Sequence, residues 1–296
     1  MRKILPLRTG GTNKSSYCYS VWLRHLVKLN SGNISFFPYT VAELGPGDSL
    51  GVGIAALLSG VKEYFALDVQ KYWNPEQNVR MLDELLVLFK QKAPIPYENA
   101  FAQVTPILDD YSFPSSILTD EQLKLSLSLV RIEALRKELL HPDNKDNVMI
   151  KYFIPWSDPA VIRNNSIDLI LSQCVLEHVD ELKISYEAMS EWLKDGAMMS
   201  HVVDFKSHGF TKSWNGHWTL SESEWKMARG GRVYAINRMP FSTHLKFIDE
   251  YGFTIVMKEI VKQPSKVTID HLSHSFSKLT PEDISVSWMY FVAQKK

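Results

Sequence analysis

The chain reads as an α/β protein: a doubly wound, mostly parallel seven-stranded sheet with helices on both faces and a helical insertion. Three observations predict this. Strand-like apolar runs alternate with helix-like amphipathic runs along most of the 296 residues, and a parallel sheet needs a crossover helix between successive strands. The stretch "VAELGPGDSLGVGIAALLSG" (41–60) reads as strand, glycine turn and helix. A second apolar run, "EYFALDV" (63–69), reads as a strand ending in an aspartate. Ligands of such sheets sit at the carboxyl ends of the strands. Functional residues are therefore expected just after Leu44, Leu67, Phe153, Leu171 and Val203.

The elements follow in order. "YCYSVWLRHLVKLN" (17–30) carries Val21, Leu23, Leu26, Val27 and Leu29 near helical spacing and predicts an amphipathic helix ending around "NSGN". "YTVAEL" is the first strand. Ser49 can cap the helix "LGVGIAALLS", and Gly60 can end it. "EYFALDV" is the second strand. From about 71 to 148 no strand pattern stands out. This stretch holds the helix "NPEQNVRMLDELLVLFKQ" with Pro75 in its first turn. A proline-broken segment follows, then "TDEQLKLSLSLVRIEALRKELL", one or two helices with a cap at Thr119. The stretch is expected to be an insertion between two strands, of the kind that covers binding sites. "VMIKYFIPW" and residues 167–172 give the third and fourth strands. "DELKISYEAMSEWLKDG" is a helix with Leu182, Tyr186, Met189, Trp192 and Leu193 apolar, ended by Asp195 and Gly196. "AMMSHVVDF" is the fifth strand. "STHLKFIDEYG" is a helix ended by Gly252, and "FTIVMKEIV" and "VSWMYFVAQ" complete the sheet. The expected organisation is an N-terminal helical segment (1–40) and one domain (41–296), with the insertion at about 71–148 and a substrate loop at about 205–238. No internal repeat or low-complexity segment is visible.

The charges balance to a net +0, which argues against nucleic acid as the main partner. Cys18 and Cys174 form no CxxC pair and no zinc spacing, and read as reduced, packed thiols. The start "MRKILPLRTGGTNKSS" has too short an apolar run for a signal peptide, and no run of about 18 apolar residues offers a membrane span. A cytoplasmic location is expected, and the oligomeric state is left open.

The glycine turn carries the first chemical signal. A dinucleotide fingerprint needs three glycines, but this sequence offers Gly45, Gly47 and then Leu50. An acidic-x-Gly-x-Gly pattern fits better: Glu43, Gly45 and Gly47, with Pro46 between the glycines. A plain strand-to-helix turn is the competing reading. Asp68 lies 68 − 47 = 21 positions past Gly47, where an acidic side chain can accept both ribose hydroxyls. Its competing reading is a strand-end cap.

At these residues the sequence resembles the class I S-adenosylmethionine-dependent methyltransferases, whose first motif is an acidic residue followed by GxGxG. Ser49 replaces the last glycine of that pattern. "NNSIDLILSQCVLEHVDELKISYEAMSEWLKDGAMMSHVVD" is similar to the fourth-strand region of small-molecule methyltransferases. "ELGPGDSLG", "SQCVLEHV" and "WNGHW" are similar to a bacterial subgroup of the type 11-like members. The resemblance implies a Rossmann-like methyltransferase fold with S-adenosyl-L-methionine as cofactor. It implies that Glu43 orients the methionine end and that Gly45, Pro46 and Gly47 give it bare backbone. It places Asp68 and Val69 at the nucleoside. It has Ser172, Gln173 and Cys174 lining the methionine end. Ile154, Pro155, Trp156, Ser157 and Asp158 fall where the family contacts adenine. "SQCV" stands where DNA amino methylases carry Asn/Asp-Pro-Pro-aromatic, which counts against nucleic-acid methylation.

Methyl transfer is an in-line displacement that mainly requires a positioned nucleophile, and a hydroxyl nucleophile also needs a base. "SHVVDFKSHGFTKSWNGHW" supplies candidates. His201, Asp204 and His178 are the catalytic candidates. His208, His217, Trp214 and Trp218 are substrate candidates, with Trp225 beside them. Asn237 and Arg238 can bind a carboxylate or phosphate. Each has a plainer reading: loop orientation for His178, core packing for His201, a turn cap for Asp204 and a surface salt bridge for Arg238. His201, Asp204 and His208 offer a conceivable ligand set, but without helical HExxH spacing no metal is expected. The expected function is methyl transfer to a small-molecule or saccharide acceptor, with oxygen as the acceptor atom. One alternative is an NAD-dependent oxidoreductase, opposed by Leu50 and by the lack of a Tyr-x-x-x-Lys pair. The other is a non-catalytic S-adenosylmethionine-binding protein.

Overall fold

The computed structural model describes residues 10–97, 104–142, 144–156, 158–232 and 234–296. Ser157, and the first nine residues of the stretch on which the leader reading rests, lie outside them. Seven strands, β1 (Thr40–Leu44), β2 (Glu63–Leu67), β3 (Ile150–Phe153), β4 (Ile167–Gln173), β5 (Leu193–Asp204), β6 (Phe253–Lys262) and β7 (Val286–Lys295), form one sheet in the order β3-β2-β1-β4-β5-β7-β6. The doubly wound α/β class is as the alternation predicted. The chain divides into two compact units, Met1–Leu171 and Ser172–Lys296.

In the first unit β1 pairs in parallel with β2 (Val41 opposite Tyr64) and with β4 (Val41 opposite Leu169), and β2 pairs with β3. Helix α1 (Ser15–Lys28) buries its middle, from Cys18 to Leu26. Helix α2 (Gly51–Leu58) is buried on every side, as an apolar-all-round sequence must be. Close approach is built in: a Cβ on Gly51 would overlap Cys18, and a Cβ on Gly53 would overlap the Tyr64 ring. Trp22 Nε1 donates to Ser59 Oγ (2.7 Å) and ties α1 to the end of α2. Helices α3 (Pro75–Lys90), α4 (Asp120–Ser126) and α5 (Leu129–Leu140) lie between β2 and β3 in the chain, with no strand among the described residues there. Asn74 caps α3 by accepting from Gln77 N–H at 3.0 Å, and Thr119 caps α4 by accepting from Gln122 N–H at 3.3 Å.

In the second unit β5 and β7 are antiparallel, as are β7 and β6, and β7 is buried from Val286 to Ala293. The helices are α6 (Leu182–Trp192), α7 (Glu222–Arg229) and α8 (Phe241–Glu250).

Some boundaries depart from the sequence reading. Asp195 and Gly196 do not end α6. The helix stops at Trp192, Leu193 turns extended, and Gly196 sits inside β5 with φ +77°. Burial of Leu193 and Ala197 draws the intervening turn into the strand. Ser49 is one residue early as a cap: Leu50 holds the N-cap position of α2, while Ser49 Oγ accepts from Gly51 N–H and donates to the Thr12 carbonyl. The stretch read as loop, 205–238, contains α7, started by a capping box between Ser221 and Glu224. No helix among the described residues is long and apolar enough to cross a membrane.

Candidate active site

The glycine turn of the first unit is held from several sides. Gly45 and Gly47 adopt φ of +63° and +76°, the left-handed region that glycine enters without a Cβ penalty. Gly45 N–H donates to the Leu67 carbonyl at 2.8 Å, joining the turn to the end of β2. Asp48 N–H donates to Thr12 Oγ1 and Leu50 N–H to Asn78 Oδ1, each at 2.9 Å. Pro46 between the glycines is buried. Asp68, 5% exposed, accepts from the N–H groups of Val69 (2.7 Å) and Gln70 (3.3 Å), with Gly47 N–H also bonded to it. Burial pushes its pKa up against those three donors. Asp68 therefore caps its turn. Beside it Val69, 55% exposed, leaves an apolar side chain bare. Glu43 is buried, with Oε2 accepting from the Tyr64 hydroxyl at 2.5 Å. Burial pushes its pKa up to about 8 despite that bond, and the charge on Asp68 adds to the rise.

The turn 43–50 holds Glu43 and Asp48 and no lysine or arginine. With Asp68 added, the turn offers carboxyl groups and no cation to pair with a pyrophosphate. It suits a nucleoside that carries a positive sulfonium and ammonium, so these residues fit S-adenosylmethionine.

The second unit gathers a dense set of titratable groups. Ser172 Oγ lies 2.7 Å from His201 Nδ1, and both residues are fully buried. His201 stands on β5 opposite Phe291, with ring centroids 5.4 Å apart, so it belongs to the sheet interior. Cys174 has φ +54° and donates its N–H to the Val202 carbonyl at 3.0 Å. Burial, then the charges of Glu177 and Asp204, push its thiol well up.

The short turn 176–178 after β4 presents Glu177 and His178. Glu177 is buried; its Oε1 accepts from Asp204 N–H at 3.3 Å, and its Oε2 has no hydrogen-bond partner. Burial drives its pKa well above the carboxylate range. His178 stacks edge-on against His208, with ring centroids 5.1 Å apart, and its Nδ1 is buried without a partner. Burial, then His208, lower its pKa to about 4, which keeps the ring neutral. Burial would raise Asp204, but His208 and Lys206 outweigh it and hold the carboxylate below its usual range. Asp204 Oδ2 lies 3.4 Å from His208 Nε2 and 3.0 Å from Lys206 Nζ. His217 is buried against Trp218, with ring centroids 4.4 Å apart, and burial lowers it to about 3.

The remaining candidates brace this cluster. Asn237 Nδ2 donates to the carbonyls of Leu176 (2.7 Å) and Val179 (2.8 Å), and its N–H to the Glu177 carbonyl (2.7 Å). Its amide thus clamps the turn bearing Glu177 and His178. Arg238 is buried, with φ +62°. It donates to Glu222 (2.6 Å) and the Leu220 carbonyl (2.9 Å), and lies 4.8 Å from the ring centres of Trp225 and Phe276. Trp218 is fully buried and donates to the Arg238 carbonyl at 2.9 Å, and Trp214 donates to the Pro264 carbonyl at 3.1 Å. Gln173 is half-buried at the end of β4, as is Trp156 beyond β3, where Pro155 is exposed. Among the described residues of this unit, the non-glycines Cys174, His208 and Arg238 take left-handed φ, a strain of order 1 kcal/mol each that clusters at functional sites.

Glu177 is the residue that the sequence reading passed over. It lies in the quoted "LEHV" beside His178. Only the fold, which carries Asp204 to it, brings it into the cluster.

No protein-family model matches the sequence, and no curated protein matches it. Solved structures do match. One is an S-adenosylmethionine-dependent methyltransferase from Mesorhizobium loti, 14% identical, covering 86% of this chain and 90% of that chain, with a TM-score of 0.42. The YcgJ protein from Bacillus subtilis is 13% identical, covering 94% and 98%, with a TM-score of 0.45. The Haemonchus contortus phosphoethanolamine N-methyltransferase 2, solved in complex with S-adenosyl-L-methionine, is 13% identical, covering 95% and 57%, with a TM-score of 0.43.

Proposed function

We propose that this chain transfers a methyl group from S-adenosylmethionine to an oxygen of a small-molecule or saccharide acceptor. The observation that carries the reading is the glycine turn: two left-handed glycines, buried Asp68 at the end of β2, and carboxyls with no basic side chain. Held at the turn by Gly45, Gly47 and Asp68, S-adenosylmethionine would supply an electrophilic methyl carbon, which an acceptor oxygen would take while the C–S electron pair stayed with sulfur as a neutral thioether. The hydroxyl proton needs a general base, and the candidate is Asp204, whose carboxylate is held ionised by His208 and Lys206. Ser172 and His201 act as positioning residues for the strand ends that bear them, and Asn237 holds the 176–178 turn. Arg238 and Trp218, committed to internal bonds, shape the wall of the acceptor region.

Calorimetry tests the reading. S-adenosylmethionine and S-adenosylhomocysteine are expected to bind and NAD not to bind. Asp68→Asn is expected to weaken the two nucleosides about tenfold or more, as losing a charge-assisted hydrogen bond does. Transfer of labelled methyl groups onto nucleotide sugars and phenols then identifies the acceptor. Binding of NAD alone overturns the reading.

A further inference from the structure

We propose that Glu177, His178 and His208 hold a divalent first-row metal ion of the zinc kind. The inference stands on the geometry of the second unit and does not rest on the methyl-transfer reading. One donor atom from each of the three residues lies within 4.8 Å of the others. Zinc bonds to nitrogen and carboxylate oxygen are about 2 Å long, so donors up to about 4 Å apart can share an ion. Closing the remaining ångström falls to His208, the most exposed of the three. Two imidazoles and one carboxylate form a donor set that zinc and non-haem iron both use.

The independent observation is a pair of orphans. Glu177 Oε2 and His178 Nδ1 are buried without a hydrogen-bond partner. A buried polar atom left unmet in this way is costly. A cation between them would satisfy both. Lys206 does not serve, because its ammonium pairs with Asp204 at 3.0 Å. Asp204 at His208 Nε2 supplies the carboxylate that orients a ligating imidazole through its far nitrogen. Asn237 fixes the turn that carries two of the ligands. Three protein ligands leave at least one position open for an oxygen ligand. The ligand set weighed in the sequence used His201, Asp204 and His208. His201 is instead bonded to Ser172, and His208, beside Asp204, is grouped with Glu177 and His178.

The test uses the full chain, stripped with chelator and dialysed. Zinc chloride is titrated by calorimetry, and cobalt(II) is followed by its visible absorption. One equivalent is expected to bind with micromolar or tighter affinity, and cobalt is expected to give the intense bands of a low-coordinate site. Glu177→Gln and His208→Asn should each weaken zinc at least tenfold with an unchanged far-ultraviolet spectrum; asparagine tolerates the left-handed φ at 208. His271→Asn, at a surface histidine, should leave binding unchanged. Absence of saturable zinc and cobalt binding by the wild type overturns the proposal. So does equal affinity in the folded His208→Asn variant. S-adenosylmethionine affinity, measured on the same stripped protein, reports separately on the methyl-donor reading.

Discussion

His244 lies fully buried on α8, its Nδ1 3.0 Å from the Tyr186 hydroxyl and its Nε2 without a hydrogen-bond partner. Burial lowers its pKa from 6.5 to about 3. The unfolded chain therefore takes up the proton first. The stability that neutral His244 contributes is fully present above pH 6.5 and is lost as pH falls toward 3. Between pH 7 and pH 5 the loss is about 2 kcal/mol. Urea unfolding of wild type and His244→Gln at both pH values measures it: the variant should lose about that much less. Glu43 has the opposite sign. Its pKa is raised to about 8, so its contribution is present below the ordinary carboxylate pKa and fades as pH rises through 8. His244 attracted no notice in the sequence, because nothing local marks a histidine that the fold will bury.

At the scale of elements, glycine in α2 is a packing requirement. Alanine is the better helix former by about 1 kcal/mol, yet a Cβ on Gly53 would enter the Tyr64 ring. Gly53→Ala should cost about 2 kcal/mol or more in chemical denaturation. Gly231→Ala, with no atom within 4 Å of the added carbon, should stay within about 0.5 kcal/mol of wild type. The strands, the cap at Thr119, and the turn with Gly45, Gly47 and Asp68 were legible in the sequence because each is a local pattern. The end of α6 was not, because burial on β5 overrode the Asp-Gly signal. Helix α7 was legible and missed: Ser221 and Glu224 spell the capping box. The cluster in the second unit was half legible. His178, Asp204 and His208 stand out as residue types, but their meeting with Glu177 is made by tertiary structure. Arg238 and Asn237 looked like ligand-binding side chains, and the fold spends their donors on its own carbonyls and on Glu222.

For the whole molecule, a ligand that binds only the folded chain stabilises it in proportion to its saturation. At one hundred times its dissociation constant the gain is about 2.7 kcal/mol, and each kcal/mol moves the melting point of a chain this large by about 2 °C. S-adenosylhomocysteine at that level should therefore raise the melting temperature by about 5 °C, and NAD at the same concentration should leave it unmoved; differential scanning fluorimetry reads both. The two thiols carry a last consequence. Cys18 belongs to the first unit and Cys174 to the second, both are free, and burial holds both protonated. Alkylation needs a solvated thiolate, so fully buried Cys18 is marked only when its surroundings open, whereas half-buried Cys174 is marked with less opening. Two peptides in one mass spectrum then become two clocks, timing the breathing of the two halves of the chain without any label being engineered into it.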